Sequence, residues 1–219
     1  MLRSLWFFMV GLPTIAIPPG ALAQASFQIG PVVGAYVPAR NFGPGDYGYT
    51  GLPVATSDLA GMAIGLDARV WLGSQVGFEL QGAEAKSSFG GGYEICIPPP
   101  GACGVTPRNH ATITILTAQV MCRPAAAGWL RLSAGAGFVR HAGPAYAGGF
   151  PFPNGAFHGT TPVAGAIGAH VDLPLGRRLV ASLGVTTLVY ALDVRDDYGQ
   201  RYEHGTQIDL LPHLTLAWP

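Results

Sequence analysis

Apolar residues alternate with small or polar residues, with a period of two, along much of the chain. The clearest segment is 59–72, in which every second position is apolar: Ala60, Met62, Ile64, Leu66, Ala68, Val70 and Leu72. The intervening positions include Asp67 and Arg69, and segments 129–141 and 205–218 repeat the pattern. Because successive side chains of a strand point to opposite faces, each segment predicts a β-strand with one apolar and one polar face.

The same pattern predicts eight strands separated by connections of two lengths. The strands are expected near residues 27–38, 59–72, 75–86, 110–123, 129–141, 161–173, 178–193 and 205–218. Short connections alternate strictly with long ones, and the long ones are 39–58, 87–109, 142–160 and 194–204. Short periplasmic turns and long extracellular loops alternate in this way in small membrane barrels. The predicted fold is therefore all-β, an eight-stranded antiparallel up-and-down transmembrane β-barrel.

The low charge content also favours a membrane protein. Charged residues make up 11% of the chain, against roughly 25% in an average soluble domain. After the N-terminal segment, no stretch reaches the ~18 unbroken apolar residues of a membrane helix. A closed barrel remains, because lipid requires every backbone polar group to be paired. The 12 basic and 12 acidic residues balance, so no nucleic-acid partner is expected.

The N-terminus has the organisation of a secretory signal peptide. Arg3 precedes an apolar run at 5–17, and Ala21, Ala23 and Ala25 supply two overlapping A-x-A cleavage patterns. An uncleaved anchor is the alternative, but the run is shorter than the ~20 apolar residues of a spanning helix. We expect residues 1–23 to be removed, with cleavage after residue 25 as the other option. Residues 24–219 then form one barrel domain in the bacterial outer membrane.

Polar residues on the inward faces predict a plugged lumen. An eight-stranded barrel has an interior only wide enough for side chains, and buried charges are normally paired. The predicted lumen network comprises Asp67, Arg69, Glu79, Arg131, His170, Asp172, Asp209 and His213. We expect Arg131 to be held by one or more of the acidic members. A structural plug is favoured over a conducting or catalytic lumen.

Tryptophans lie at the strand ends assigned to the periplasmic boundary. Trp71, Trp129 and Trp218 would suit an aromatic belt at the membrane interface. If side chains alternate strictly between the two faces, however, Trp71 and Trp129 point towards the lumen, unless a β-bulge reverses them. Both placements stay open at this point.

Cysteine positions predict one disulfide. Cys96 and Cys103 are separated by six residues rich in proline and glycine, within the second long connection. Export to an oxidising compartment would preserve such a bond. Cys122 belongs to the opposite end of the barrel, too far away to form a bridge, so it should stay reduced.

No motif for catalysis, cofactor binding or metal binding is evident. The loop and rim positions of His110, His141, His158 and His204 fit neither a nucleophile elbow nor a zinc signature. Rim catalysis or metal binding is the less favoured alternative. We therefore expect no catalytic, cofactor or metal residues, and no enzyme.

The segments 132–138 and 165–172, and Trp218 after alternating Leu214 and Leu216, resemble the small outer-membrane barrel families of the OmpA, OmpX and OmpW types. The resemblance implies contact with outer-membrane lipid and recognition by the β-barrel insertion machinery. Such families usually end on the aromatic residue itself, whereas Pro219 follows here.

Two functions are compatible with this resemblance. The first is a monomeric structural or surface-interaction barrel whose surface ligand is unknown. The second, implied by the OmpW type, is a transporter or binder of small apolar molecules. That function needs inward apolar residues in the outer half of the barrel, and Leu188 and Tyr190 are the few that the pattern supplies. A lipid-modifying enzyme is a more remote third.

Overall fold

The computed structural model describes residues 25–39, 60–89, 94–97, 102–105, 109–142, 162–176, 178–195 and 201–218. The described part contains ten strands: β1 (Ala25–Pro38), β2 (Gly61–Leu72), β3 (Val76–Phe89), β4 (Glu94–Ile97), β5 (Ala102–Val105), β6 (Asn109–Cys122), β7 (Leu130–Ala142), β8 (Val163–Pro174), β9 (Val180–Arg195) and β10 (Arg201–Ala217). The predicted signal peptide lies outside the described residues and stays a prediction. Among the described residues, no helix is long and apolar enough to cross a membrane.

Eight of these strands close into a barrel, which confirms the predicted fold class. The order around the wall is β1-β10-β9-β8-β7-β6-β3-β2, and each strand pairs antiparallel with both neighbours. A closed wall leaves no unpaired edge, which lipid would penalise.

The two ends of the barrel differ in their connections. The short connections after β2, β6 and β8 lie at one end, here called the turn end; the opposite end is the loop end. Gly73 and Gly176 adopt positive φ angles of 86° and 103° in two of these turns, a conformation that costs glycine no steric strain. The halves of the lumen next to these ends are called the turn half and the loop half.

Inward and outward side chains alternate as the period of two requires. In β8, Ala164, Ala166, His170 and Asp172 are buried, whereas Ile167 between them is 63% exposed. Large apolar residues cover the outer wall: Phe27, Ile29, Val33, Met62, Ile64, Leu66, Phe78, Leu80, Leu116, Leu132, Phe138, Val163, Ile167, Leu173, Leu183, Leu214 and Leu216. This apolar belt is the surface that a transmembrane barrel presents to lipid.

The structure corrects two of the four long connections. The predicted connection 87–109 contains the separate hairpin β4–β5, whose four-residue strands are too short to show a period. Within the predicted loop 194–204, residues 194–195 and 201–204 are strand, because β9 and β10 pair as far as Arg195 and Arg201. Strands that extend beyond the apolar belt need no apolar face, so their polar sequence is easily mistaken for a loop.

Pairing between β1 and β10 is interrupted. These strands pair from Val32 to Gly34 and again at Val37 and Pro38, without the intervening pairs. By this register Pro212 lies opposite Ala35, and it is paired on its other side with β9. Pro31 similarly pairs with β2 and not with β10. Since proline has no N–H, both residues remove a donor from this one seam.

Candidate functional site

A network of charged side chains fills the turn half of the lumen. Arg131 Nη1 donates to both carboxylate oxygens of Glu79, each at 2.7 Å, and Arg131 Nε lies 3.4 Å from Asp172 Oδ1. The three residues come from β7, β3 and β8, so the Arg131–Glu79 contact spans the intervening strand β6 and the Arg131–Asp172 contact joins neighbouring strands. All three are almost completely buried. These buried ion pairs therefore link the strands from inside the barrel.

Arg69 extends the same network around the wall. It pairs with Asp67, two residues away on the same face of β2. Its Nε lies 3.3 Å from Glu79 Oε1, and its Nη1 donates to Ser182 Oγ at 2.8 Å. Ser182 in turn donates to Asp172 at 2.7 Å. Glu79 therefore bridges two arginines, and the cost of burying each charge is offset by a close partner.

Arg123 and Trp71 close the turn end. Arg123 Nη2 donates to Asp172 Oδ2 at 2.6 Å, and its guanidinium carbon lies 3.8 Å from the centroid of the Trp71 ring. Trp71 is buried inside the barrel and is not part of an outer belt, whereas Trp129 and Trp218 are exposed. The alternation of strand positions does not apply to Trp129, because this residue lies in the turn before β7 begins.

Two histidines occupy the middle of the lumen. His213 Nδ1 lies 2.8 Å from the carbonyl oxygen of Leu211, and its Nε2 lies 3.0 Å from the Gln81 amide nitrogen. Donation to the carbonyl places the His213 proton on Nδ1, which leaves Nε2 as an acceptor. The His170 ring lies edge-on to His213, with centroids 5.2 Å apart. A Cβ at Gly184 would collide with the His170 imidazole, so this glycine makes room for the ring.

The loop half is mainly apolar. Its buried cluster consists of Tyr36, Ala63, Ala83, Ala85, Ile113, Ile115, Val139, Ala164, Ala166, Leu188, Tyr190 and Leu211. The sequence had indicated only Leu188 and Tyr190. The other members were missed because strands with apolar residues on both faces lose the alternation that distinguishes inward from outward positions.

A second polar cluster lies within this apolar half. The Asp209 carboxylate accepts hydrogen bonds from Tyr36 Oη at 2.8 Å, from Tyr190 Oη at 2.5 Å and from the Gln207 amide at 2.8 Å. His141 Nε2 lies 3.4 Å from Tyr36 Oη and 3.2 Å from Tyr190 Oη. Three donors on one carboxylate compensate for the loss of water around it.

This cluster selects among the acidic candidates and corrects one expectation. Arg131 was expected to be held by one or more of four acidic residues; Glu79 and Asp172 hold it, whereas Asp209 pairs with the two tyrosines and Gln207. His141 was expected on the outer rim, yet it is completely buried. The height of a side chain along the barrel axis depends on the register between strands, and the pattern of one strand does not report it.

Other sequence candidates are only partly described. In the described ranges, no group of three or more His, Cys, Asp and Glu side chains could hold a metal ion. The side chains of His110, His158 and His204 lie outside the described residues. The backbone register places Cys96 directly opposite Cys103 in the β4–β5 hairpin. Their disulfide stays a prediction, and Cys122 is free.

Solved structures share the architecture. The outer membrane protein OprG from Pseudomonas aeruginosa matches with a TM-score of 0.53 at 10% sequence identity, over 88% of this chain and 94% of that chain. The fold is that of a small bacterial outer-membrane β-barrel. With its apolar belt, the chain is an outer-membrane protein in contact with membrane lipid.

More distant likenesses include Outer Membrane Protein W of E. coli, at 14% identity and a TM-score of 0.42. Another is Ail, the attachment invasion locus protein of Yersinia pestis, in complex with the heparin analogue sucrose octasulfate, at 12% identity and a TM-score of 0.40. Each covers 89% of this chain and 97% of its own. No protein-family model and no curated protein sequence matches the chain.

Proposed function

We propose that the protein is a non-conducting, non-enzymatic outer-membrane barrel that presents its loop-end connections to other molecules at the cell surface. The loop end faces outwards, the short turns face the periplasm, and the insertion machinery delivers the chain as a monomer. The lumen acts as a structural plug that keeps the wall closed.

The buried network around Arg131, Glu79 and Arg69 is the observation that carries this proposal. It joins β3, β7 and β8, reaches from Arg69 of β2 to Ser182 of β9, and is followed towards the turn end by Arg123 and Trp71. A hydrated ion would have to break several charge-assisted hydrogen bonds to pass, and each is stronger than a bond between neutral groups. The barrel therefore supports anchoring and display better than diffusion.

Planar-bilayer recording tests the plug. The parent protein should show no steady ion conductance. The doubly substituted R131A/E79A should conduct, because it removes the central ion pair while Arg69 keeps Asp67 and Asp172 keeps Arg123 as partners. The matched control R140A/E84A removes one cation and one anion from the outer wall and should stay silent. Steady single-channel steps from the parent would contradict the proposal.

The loop half supports a second candidate, a binder or transporter of small apolar molecules. Its lining is apolar, and two of its members, Tyr36 and Leu211, lie where the β1–β10 pairing is interrupted. A wall lacking ladder hydrogen bonds at this point would open sideways into lipid more easily than elsewhere.

Substitution of the seam prolines tests this second candidate. Pro212→Val restores a donor beside the apolar cluster, whereas Pro31→Val restores one on the same seam nearer the turn end. Uptake of a small apolar fluorescent probe into proteoliposomes should slow for Pro212→Val and not for Pro31→Val. Equal uptake by parent, variants and empty vesicles would eliminate transport.

A further inference from the structure

The outer wall is not uniform around the barrel near the loop end. Met62 of β2 and Val163 of β8 lie ten and eleven residues from the turn-end terminus of their strands and are 68% and 66% exposed. By register Met62 lies directly opposite Lys86, whose partner on the other side is Thr112, whereas Arg140 lies two residues beyond Phe138, the partner of Val163. One side of the wall is thus apolar at a level where the other is polar.

The apolar belt is correspondingly shorter on the polar side. On β2 the outward positions from Leu72 to Met62 are all apolar, and at ~3.3 Å per residue and ~40° tilt they span about 25 Å. On β3 the apolar outward positions end at Gly82, before Glu84, and span roughly 15 Å from Val76 by the same rule. Lipid beside β3 must therefore bring its headgroup deeper than lipid beside β2.

The polar side of the wall carries a net positive charge. The side chains of Lys86 and Glu84 are 78% and 49% exposed, and Lys86 Nζ lies 3.5 Å from Glu84 Oε1. Arg140 is also exposed. By register it faces Thr114, which in turn faces Glu84 on the other side. Two cations and one anion thus surround a row of threonine hydroxyls at the level of the headgroups.

We propose that this polar notch, formed by Lys86, Arg140, Thr112 and Thr114, binds the phosphate of a glycolipid in the leaflet at the loop end. Cations attract anionic headgroups at this depth, the hydroxyls donate to phosphate oxygens, and the acyl chains lie against the shortened belt. Glu84 weakens the site by competing for Lys86. The proposal rests on the outward orientation of the loop end, which protease digestion of intact cells tests independently.

Native mass spectrometry of the full chain tests the notch. The protein is titrated with bis-phosphorylated lipid A and, separately, with the same glycolipid after its phosphates have been removed. The parent should retain the phosphorylated lipid at least about tenfold more tightly. K86Q/R140Q should lose this preference, and E84Q should strengthen it several-fold. The matched control R178Q, at the turn end, should behave as the parent does.

Three outcomes would overturn the proposal. Equal retention of both lipids by the parent would show that phosphate is not recognised. An unchanged preference in K86Q/R140Q would place the site elsewhere. A dimer peak that K86Q/R140Q abolishes, with no lipid preference in the parent, would assign the notch to a second copy of the chain. An unchanged heat-dependent gel shift establishes that each variant is folded.

Discussion

The turn half and the loop half of the lumen fill the same cylinder with opposite chemistry. Charged side chains from β2, β3, β7 and β8, together with Ser182 of β9, hold the turn half together. The loop half is filled largely by alanines, isoleucines and leucines around the Asp209 carboxylate. A closed wall alone therefore does not dictate what fills a barrel.

The difference indicates different mechanical roles. Breaking an ion pair away from water leaves an uncompensated charge, so the turn half resists deformation. Apolar contacts are individually weak and can be exchanged for lipid or for a small apolar molecule. The interrupted seam between β1 and β10 lies beside Tyr36 and Leu211 of this softer half. The wall is thus expected to open at the seam before the ion-paired network of the turn half is disrupted.

The largest effect is expected from Arg131→Ala in the turn half. Glu79 and Asp172 would lose a common partner, and breaking a buried pair costs about 3 to 5 kcal/mol. The urea midpoint of unfolding in lipid vesicles should fall clearly, whereas Arg140→Ala on the outer wall should hardly change it. Equal urea midpoints for Arg131→Ala and the parent would contradict the view that ion pairs make the turn half the more resistant one.

A smaller loss is expected from Leu188→Ala in the loop half. The residue is completely buried, and removing a buried leucine side chain typically costs about 2 to 4 kcal/mol. Leu183→Ala on the same strand is the control, because its side chain is 61% exposed towards lipid, which can fill the space. The same unfolding assay applies. A cost no greater than that of Leu183→Ala would mean that the loop half is not packed.

Asp209→Asn should cost less again. The amide oxygen still accepts from Tyr36 or Tyr190, but bonds to a charged acceptor are lost, at about 1 to 2 kcal/mol in total. Hydrogen exchange of β9 and β10 amides should rise near the loop end and stay unchanged near the plug. If exchange rises equally along both strands, the two polar clusters unfold as one cooperative unit and the prediction is wrong.

Reduction of the predicted disulfide should have the smallest effect. Residues directly opposite in an antiparallel pair have Cα atoms about 4.5 to 5.5 Å apart, within the limit of about 7 Å for a bridge. Non-reduced peptide mapping should give one linked peptide containing Cys96 and Cys103, with Cys122 alkylated. Reduction should change barrel stability by less than about 0.5 kcal/mol. A crosslink through Cys122 would contradict both this pairing and the strand order.

The sequence by itself determined the barrel and most of its inward charges. Alternation at 59–72 identifies the faces of β2 directly, because the period of two is a local property of the strand. A charged residue within the stretch of a strand that lies at the level of the apolar belt, such as Arg131, must also point away from lipid. The signal was lost for Ile113 and Ile115, which lie on a strand with further apolar residues on its other face.

Only the tertiary structure decided which inward residues meet. The partners of Arg131 and of Asp209 depend on how far each strand is shifted along its neighbours, and that shift accumulates around the closed wall. For the same reason His141 lies inside the barrel against two tyrosines, and the two prolines fall on one seam. Local patterns fix the direction in which a side chain points, whereas contacts across a lumen require the register of all eight strands.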